Sequence, residues 1–296
     1  MAAPAPALAW GKRTLVMGVL NLTPDSFSDG GRHARPGAAL RHARQLAAGG
    51  ADLIDLGAQS TRPGALEVGA EEELRRLLPA LRAIRAALPA AAAPLLSIDT
   101  FHAAVAEAAL REGADWINDV SAGRRDPALP AVAAAADCPY VLMHSRGDSR
   151  SMDALAHYED VVAEVRDELL RATERVLAAG VRAERIVWDP GLGFAKTTAH
   201  NLALLRGLAA LRREGFPLLV GPSRKRFIGE VLNEPRPRAR LWGTAAVCVQ
   251  AIAAGADILR VHDVGPIVQT ARMADALLRD QAAATISPPP SSTSPS

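Results

Sequence analysis

Eight short apolar runs, each followed by a stretch of helical character, constrain the fold of this chain most strongly. Among these runs, IVW at 186–188 is continuously apolar, as is typical of parallel strands that are covered on both faces. The segment after the second run has leucine and isoleucine at helical spacing, from Leu74 to Ile84. The predicted strands lie at 14–20, 52–56, 94–98, 115–118, 139–143, 185–189, 217–221 and 257–261.

This alternation continues without a break in composition, which favours one closed (β/α)8 barrel over a doubly wound open sheet. The chain has 296 residues, enough for a barrel of about 250 residues. We therefore predict an α/β protein with a single TIM-barrel domain at 12–280, after a short lead at 1–11. Residues 281–296 are rich in Pro and Ser, so this tail is predicted to be disordered.

The charge pattern favours small molecules as partners. There are 34 Lys and Arg against 32 Asp and Glu, and the basic residues are scattered, which argues against binding to nucleic acid or to an anionic membrane. The N-terminus has no signal-peptide pattern and no segment is apolar enough to span a membrane, so we expect a cytoplasmic protein. Cys138 and Cys248 lie in apolar contexts and are predicted to be buried free thiols.

Polar residues follow every predicted strand. Because the carboxyl ends of all strands in a (β/α)8 barrel open on one face, these residues would converge on one mouth. Taken singly, several have a simpler explanation: Asp99, Asn118 and Asp119 are also good N-cap residues, and Asp189 begins a Pro-Gly turn. The eight segments are MGVLNLTPDSFSDGG (17–31), IDLGAQSTRPG (54–64), SIDT (97–100), INDV (117–120), LMHSRG (142–147), WDPGLGFAKT (188–197), VGPSRKRFIG (220–229) and LRVHDV (259–264).

The residue types at the mouth predict two subsites. Asp99, Asn118 and Asp189 supply acceptors and an amide that suit the polar edge of a flat heterocycle.

His144 stands alone without zinc-ligand spacing and is predicted to be a buried or supporting histidine.

A second set of residues suits a polyanion. Arg260, His262 and Asn21 are candidates to hold it, and Arg62 and Lys225 add positive charge over the same face. A cation such as Lys225 at the start of a helix opposes the helix dipole, which weakens the interpretation of it as an ordinary surface residue. There is no G-x-G-x-x-G or Walker A segment, so a nucleotide-cradling loop is not indicated.

These blocks together resemble the dihydropteroate synthase family of folate biosynthesis. The resemblance covers residues 12–280 and includes NLTPDSFSDGG, STRPG, SIDT, INDV, LMH, DPGLGF, SRK and RVHDV in the family's order. It implies a transferase that joins 6-hydroxymethyl-7,8-dihydropterin diphosphate to 4-aminobenzoate and releases diphosphate. It also implies Mg²⁺ as cofactor and a homodimer formed through barrel helices.

The resemblance further implies roles for individual residues. Asp29 and Asp99 would stabilise the cation-like pterin carbon, Lys225 would take part in catalysis, and Asn21 would be the metal ligand. Asp55 falls on a polar position of the family's barrel with a less certain role. The pterin pocket maps onto Asp99, Asn118, Asp189 and Lys225, the diphosphate site onto Asn21, Arg260 and His262, and the aminobenzoate site onto Thr61, Arg62, Phe194 and Lys225.

Some positions depart from the family's pattern. Gln59 replaces a common glutamate, and we expect it to keep a hydrogen bond but lose a charge. Ala195 replaces a common glycine, a mild change unless this position requires a positive φ. Arg226 replaces a frequent serine and is expected to lie in solvent.

Two other functions remain open from the sequence. One is a pterin-binding methyltransferase acting on a methylated folate, which needs neither a diphosphate site nor the SRK lysine. The other is a paralogue that binds pterins without turnover, for which Gln59 is the only indication.

Overall fold

A computed structural model describes residues 10–23, 36–59, 67–88 and 94–279. Eight parallel strands form one sheet in the order β6-β5-β4-β3-β2-β1-β8-β7. An isolated bridge between Trp188 and Leu218 joins the two outer strands, so the sheet curls into a nearly closed barrel. The strands are β1 (Leu15–Asn21), β2 (Leu53–Gly57), β3 (Leu95–Asp99), β4 (Trp116–Asp119), β5 (Tyr140–Met143), β6 (Ile186–Asp189), β7 (Leu219–Val220) and β8 (Ile258–Val261).

Helices alternate with the strands and cover the outside of the barrel, as the sequence predicts. The predicted helix after β2 is found as α2, whose Leu77, Leu81 and Ile84 are buried against the sheet. The helices are α1 (Pro36–Ala48), α2 (Ala70–Ala87), α3 (Ala103–Arg111), α4 (Leu129–Ala136), α5 (Val161–Ala178), α6 (Thr198–Arg212), α7 (Arg226–Leu232), α8 (Leu241–Ala253) and α9 (Val264–Leu278). The (β/α)8 fold class is therefore confirmed.

The strand ends agree with the prediction to within one residue, except at β7. The prediction of a strand over 217–221 is too long, because only Leu219 and Val220 form a ladder. Pro217 lacks an N–H donor, which limits pairing on this side. Its carbonyl still accepts a hydrogen bond from the Trp188 N–H at 2.9 Å.

The core has two layers. Inside the barrel, apolar side chains fill the end where the strands begin; they are Leu15, Met17, Leu53, Trp116, Val141, Val187, Leu219 and Ile258. A larger apolar layer lies between the sheet and the helices. The end of the barrel where the strands finish is left for polar side chains.

Three Gly-Ala-Asp segments pin the base of the barrel, where the strands begin. Each glycine has a positive φ and each aspartate immediately precedes a strand. Asp52 accepts a hydrogen bond from Val16 N at 2.9 Å and Asp115 accepts one from Leu96 N at 2.7 Å. Asp257 accepts one from Leu218 N at 3.0 Å. The repeated segment thus caps a neighbouring strand three times.

Both cysteines are buried and unpaired, as predicted. Burial raises the pKa of each thiol to about 12, which keeps both in the unreactive thiol form. Across the described ranges, none of the helices combines the length and apolar character that crossing a membrane requires. Residues 1–9 of the predicted lead at 1–11 and the whole predicted tail at 281–296 lie outside the described residues.

Candidate active site

The sheet register brings the polar strand ends together. One line of paired residues crosses four strands through Asn21, Gly57, Asp99 and Asn118. Asp189 ends β6 and pairs with Met143 of β5. Residues far apart in sequence therefore line the same end of the barrel, as the predicted fold requires.

Arg260 lies at the centre of this mouth and binds two buried carboxylates. Its Nε is 2.7 Å from Asp55 Oδ2, and its Nη2 is 2.7 Å from Asp99 Oδ2. Asn118 Nδ2 donates to the same Asp55 oxygen at 3.0 Å. These contacts use two of the five N–H donors of the guanidinium, and the rest remain for an anionic ligand.

Burial raises the pKa of Asp99 to about 7, and the Arg260 charge opposes this rise. Burial likewise raises the pKa of Asp189, while the N–H of Gly191, at 2.7 Å from Asp189 Oδ1, and the Lys225 charge oppose it. Buried carboxyl groups with raised pKa values are typical of ligand-binding sites.

Two acceptors at the mouth have no hydrogen-bond partner within the described residues: Asp55 Oδ1 and Asn118 Oδ1. A buried acceptor without a partner is costly, and native structures satisfy most such groups. The pair therefore suits a flat ligand that carries several N–H donors.

Lys225 forms the opposite wall of the mouth. It is the N-cap residue of α7, and its Nζ lies 4.3 Å from the centroid of the Phe194 ring. Burial lowers the pKa of this ammonium to about 8, although the charge of Asp189 opposes the shift. Lys225 and the half-buried Phe194 thus present a cation beside an aromatic face.

The loop before α7 is tied to the end of β8. Ser223 Oγ lies 3.0 Å from His262 Nδ1 and accepts a hydrogen bond from His262 N at 3.1 Å. The Arg224 guanidinium donates two hydrogen bonds to Asp263, at 3.0 and 2.6 Å. These contacts fix Lys225 and His262 relative to each other.

Contacts define the roles of two further carboxylates, Asp119 and Asp263. Asp119 accepts hydrogen bonds from Ser121 N, Gly123 N and Tyr140 OH, so it shapes the turn after β4. Asp263 occupies the N-cap position of α9, but its side chain pairs with Arg224 and makes no cap hydrogen bond.

Arg226 lies on the outside of α7. Its side chain is 60% exposed and faces Asp153 at 3.3 Å and Glu230 at 3.5 Å. The expected solvent position of Arg226 agrees with this geometry.

The structure clarifies two of the departures from the family's pattern. Gln59 keeps a hydrogen bond, since its Oε1 accepts from Val68 N at 3.3 Å. The change at Ala195 was expected to be mild unless this position requires a positive φ. Ala195 has φ 48°, in the left-handed region, so the exception applies and the change from glycine is not mild. Asp29, Thr61 and Arg62 lie outside the described residues, and their predicted roles stay predictions.

Metal binding has little support from side chains alone. In the ranges that the structure describes, no three His, Cys, Asp or Glu residues are grouped to hold an ion. The predicted ligand Asn21 ends β1 and is half-buried at the mouth. A single amide oxygen fits Mg²⁺ only as part of a shell completed by water and phosphate oxygens, which is the usual arrangement for this ion.

His144 is buried, as predicted, but the sequence did not indicate the cluster that it forms beneath the 190–195 loop. Lys196, His144 and Glu168 form a connected chain of hydrogen bonds there. Lys196 is one of only three lysines in the chain, with Lys12 and Lys225, and a lysine this close to a predicted site residue was the available signal.

Comparison with known proteins agrees with this geometry. Residues 17–262 match the family model described as pterin binding enzyme. A dihydropteroate synthase from Synechocystis is 50% identical over 270 residues, covering 91% of this chain and 92% of the relative. A Xanthomonas albilineans dihydropteroate synthase solved with 4-aminobenzoic acid superposes with a TM-score of 0.83 at 44% identity, covering 90% of this chain and 93% of that one. The same organism's enzyme in complex with 7,8-dihydropteroate gives 0.80 at 42% identity, covering 90% and 94%.

Proposed function

This chain belongs to the dihydropteroate synthase family of pterin-binding enzymes, and we propose that its barrel mouth carries out the reaction of that family. The enzyme joins 6-hydroxymethyl-7,8-dihydropterin diphosphate to 4-aminobenzoate, giving 7,8-dihydropteroate and diphosphate for folate biosynthesis. Relatives solved with the acid substrate and with the product support this assignment.

The observation that carries the proposal is the row of buried acceptors beside a cationic wall. Asp55 and Asn118 hold unpartnered oxygens, and Asp189 ends the neighbouring strand of the same mouth. A pterin edge carries amino and ring N–H donors, so it satisfies acceptors of this kind. Lys225 and Phe194 lie where a second, aromatic and anionic substrate would meet the pterin.

The proposed reaction separates charge, and the site is polarised to match. As diphosphate leaves the pterin methylene carbon, that carbon gains positive character, which the carboxylates of Asp99 and Asp29 would stabilise. Arg260 and His262 would stabilise the negative charge that develops on the diphosphate. The amine of 4-aminobenzoate is already a nucleophile, so no serine or cysteine nucleophile is needed.

Mg²⁺ is proposed as the cofactor, with Asn21 as its protein ligand and the diphosphate as the main source of oxygen ligands. When bound, the ion would neutralise charge on the departing diphosphate. The half-buried amide of Asn21 at the mouth supports this role.

We also propose a cytoplasmic homodimer. Two buried free thiols suit a reducing compartment. Several large apolar side chains on neighbouring outer helices are exposed, including Trp242 of α8 at 80% and Met273 and Leu277 of α9. Apolar patches of this kind are typical of association surfaces.

The test is a direct assay for 7,8-dihydropteroate with both substrates, in the presence of Mg²⁺ and after chelation. We expect product to form and the rate to fall on chelation. Pterin binding without product would instead identify a non-catalytic paralogue, and transfer of a methyl group from methyl-tetrahydrofolate would identify a methyltransferase.

A further inference from the structure

Lys196 is a buried lysine whose ammonium has three partners within the protein. Its side chain is 3% exposed. Nζ lies 3.1 Å from the carbonyl oxygen of Gly191, 3.0 Å from that of Phe194 and 2.9 Å from His144 Nδ1. An ammonium has three N–H donors, so this arrangement uses all of them.

His144 connects this lysine to a carboxylate on α5. Burial lowers the pKa of His144 to about 4, so the ring is neutral. Its Nε2 lies 3.0 Å from Glu168 Oε2, which assigns the ring proton to Nε2 and leaves Nδ1 to accept from Lys196. Arg146 pairs with the other oxygen of Glu168. Burial lowers the pKa of Lys196 to about 7, while the charges of Asp189 and Glu168 oppose this shift. The imidazole of His144 thus links the Lys196 amino group to the Glu168 carboxylate.

The loop that Lys196 holds has a backbone that needs external support. Gly191, Gly193 and Ala195 all have positive φ, and Ala195 is not a glycine. A side chain at Gly191 would place its Cβ 1.8 Å from the carbonyl oxygen of His144, so the loop passes directly over the end of β5. The carbonyl oxygens of Gly191 and Phe194 both accept a hydrogen bond from the Lys196 ammonium, which holds the two ends of the loop together.

The loop carries Phe194, whose ring lies against Lys225. The distance of 4.3 Å between Lys225 Nζ and the ring centroid depends on where the loop places Phe194. Loss of the Lys196 contacts would free the Phe194 and Gly191 carbonyls, leaving the Gly193 N–H bond to Asn201 Oδ1 at 2.7 Å as the loop's tie to α6, and would let the Phe194 ring shift. By contrast, Asp99, Asn118 and Arg260 are held by strands β3, β4 and β8.

We propose that Lys196 is a positioning residue for the aromatic substrate: its ammonium, held through His144 by Glu168, sets the 190–195 loop so that Phe194 and Lys225 form the binding wall for 4-aminobenzoate. This inference rests on the proposed function. It assigns to Lys196 a role in affinity for one substrate, with the chemical step and the pterin subsite left to other residues.

The primary test is Lys196→Met, which keeps the length of the side chain and removes its donors. We expect the KM for 4-aminobenzoate to rise about tenfold, with kcat and the Kd for the pterin changed less than threefold. Lys12→Met is the matched control, because Lys12 is exposed at the base of the barrel and its removal should change none of these values.

A second variant keeps the test decisive if Lys196→Met does not fold. Glu168→Gln removes the charge at the far end of the chain while leaving Lys196 and the loop sequence intact. We expect a rise of about threefold in the same KM. With ¹⁵N-labelled histidine, the native protein should show a protonated Nε2 and an acceptor Nδ1 at His144.

An unchanged KM for 4-aminobenzoate in both variants would overturn the inference. So would equal losses in kcat, in KM and in pterin affinity, since these would indicate a general structural role. If the native protein makes no dihydropteroate, the proposed function fails first; if it does and the KM stays unchanged, only the role of Lys196 fails.

Discussion

Buried polar side chains at the two ends of the barrel differ in how fully they are hydrogen-bonded. At the base, Asp275 accepts from Thr14 N and Thr14 Oγ1, both at 2.7 Å, and pairs with Arg279 at 2.7 Å. At the mouth, Asp55 and Asn118 each keep a buried oxygen with no partner among the described residues.

This difference indicates that polar residues at the base serve stability, whereas those at the mouth serve ligand binding. The carboxylates at the base cap strand starts and tie the last helix to the first strand, so each of Asp52, Asp115, Asp257 and Asp275 accepts hydrogen bonds within the described residues. At the mouth, burial raises carboxyl pKa values and leaves acceptors open, which is unfavourable without a ligand. We therefore expect substitutions at the mouth to change ligand binding and those at the base to change the free energy of unfolding.

The largest expected effect is at the mouth, in Asp189→Asn. Replacing one carboxylate oxygen by an NH₂ group sets donor against donor at the pterin edge, costing on the order of 3 kcal/mol, or about a hundredfold in affinity. Calorimetric titration with the pterin measures this, and the melting temperature should stay within a few degrees. Asp167→Asn, on the outer face of α5, is the control. Unchanged pterin affinity would remove Asp189 from the pocket.

At the base, Asp275→Ala should lower stability and leave ligand binding unchanged. It leaves the Thr14 N–H and the Arg279 guanidinium buried without their acceptor, which costs about 3 kcal/mol of unfolding free energy. Chemical denaturation measures the loss, and Arg272→Ala on the exposed side of the same helix is the control. A fall in kcat for the folded variant at low temperature would contradict the separation of the two ends.

The buried Glu73 of α2 should make the free energy of unfolding depend on pH. Burial raises the pKa of Glu73 from 4.5 to about 7, while a hydrogen bond with Thr100 opposes the shift. Since the folded state binds the proton more tightly, this stabilisation is complete below pH 4.5 and disappears as pH rises through 7.

The full loss is on the order of 3 kcal/mol, because each pKa unit corresponds to about 1.4 kcal/mol, and about 2 kcal/mol of it falls between pH 5 and 7.5. In Glu73→Gln the fall in unfolding free energy between pH 5 and 7.5 should be smaller by this amount. Denaturation curves at several pH values provide the measurement, and parallel pH profiles for both proteins would show that Glu73 does not titrate in this range.

The smallest effect is expected for Arg226→Ser, one residue from Lys225. Because the guanidinium faces Asp153 and Glu230 on the surface, the KM for 4-aminobenzoate should change less than threefold. Steady-state kinetics at saturating pterin measure it, with Lys225→Met as the contrasting variant that should lose most of its turnover. A tenfold rise in KM for Arg226→Ser would show that the mouth extends to this residue.

Much of the barrel was predictable because hydrophobic periodicity and strand-end polarity are local signals. Predicted and observed strands agree closely at β1–β6 and β8, and the closed topology then brings Asp99, Asn118 and Asp189 to one end. Sequence could not reveal that Arg260 binds Asp55 and Asp99, because that pairing depends on side-chain directions across the barrel.

Other features depend on contacts between distant segments. His144 and Lys196 are 52 positions apart, and only the packing of β5 beside β6 makes them partners. The positive φ of Ala195 is equally invisible in composition. The three Gly-Ala-Asp segments, in contrast, are visible in the sequence, although no cap was predicted from them, and they lie where the strands begin.

The closure between β6 and β7 has a mechanical consequence. In place of a ladder of paired residues, one bridge at Trp188 and Leu218 joins these strands, together with the stacking of Trp188 on Phe216 at 4.7 Å. The barrel is thus a split ring, with its seam running between the strand that ends at Asp189 and the loop that carries Lys225. Because backbone pairing is sparse at this seam, we expect local opening to cost little free energy there, and such opening would change the spacing between Asp189 and Lys225.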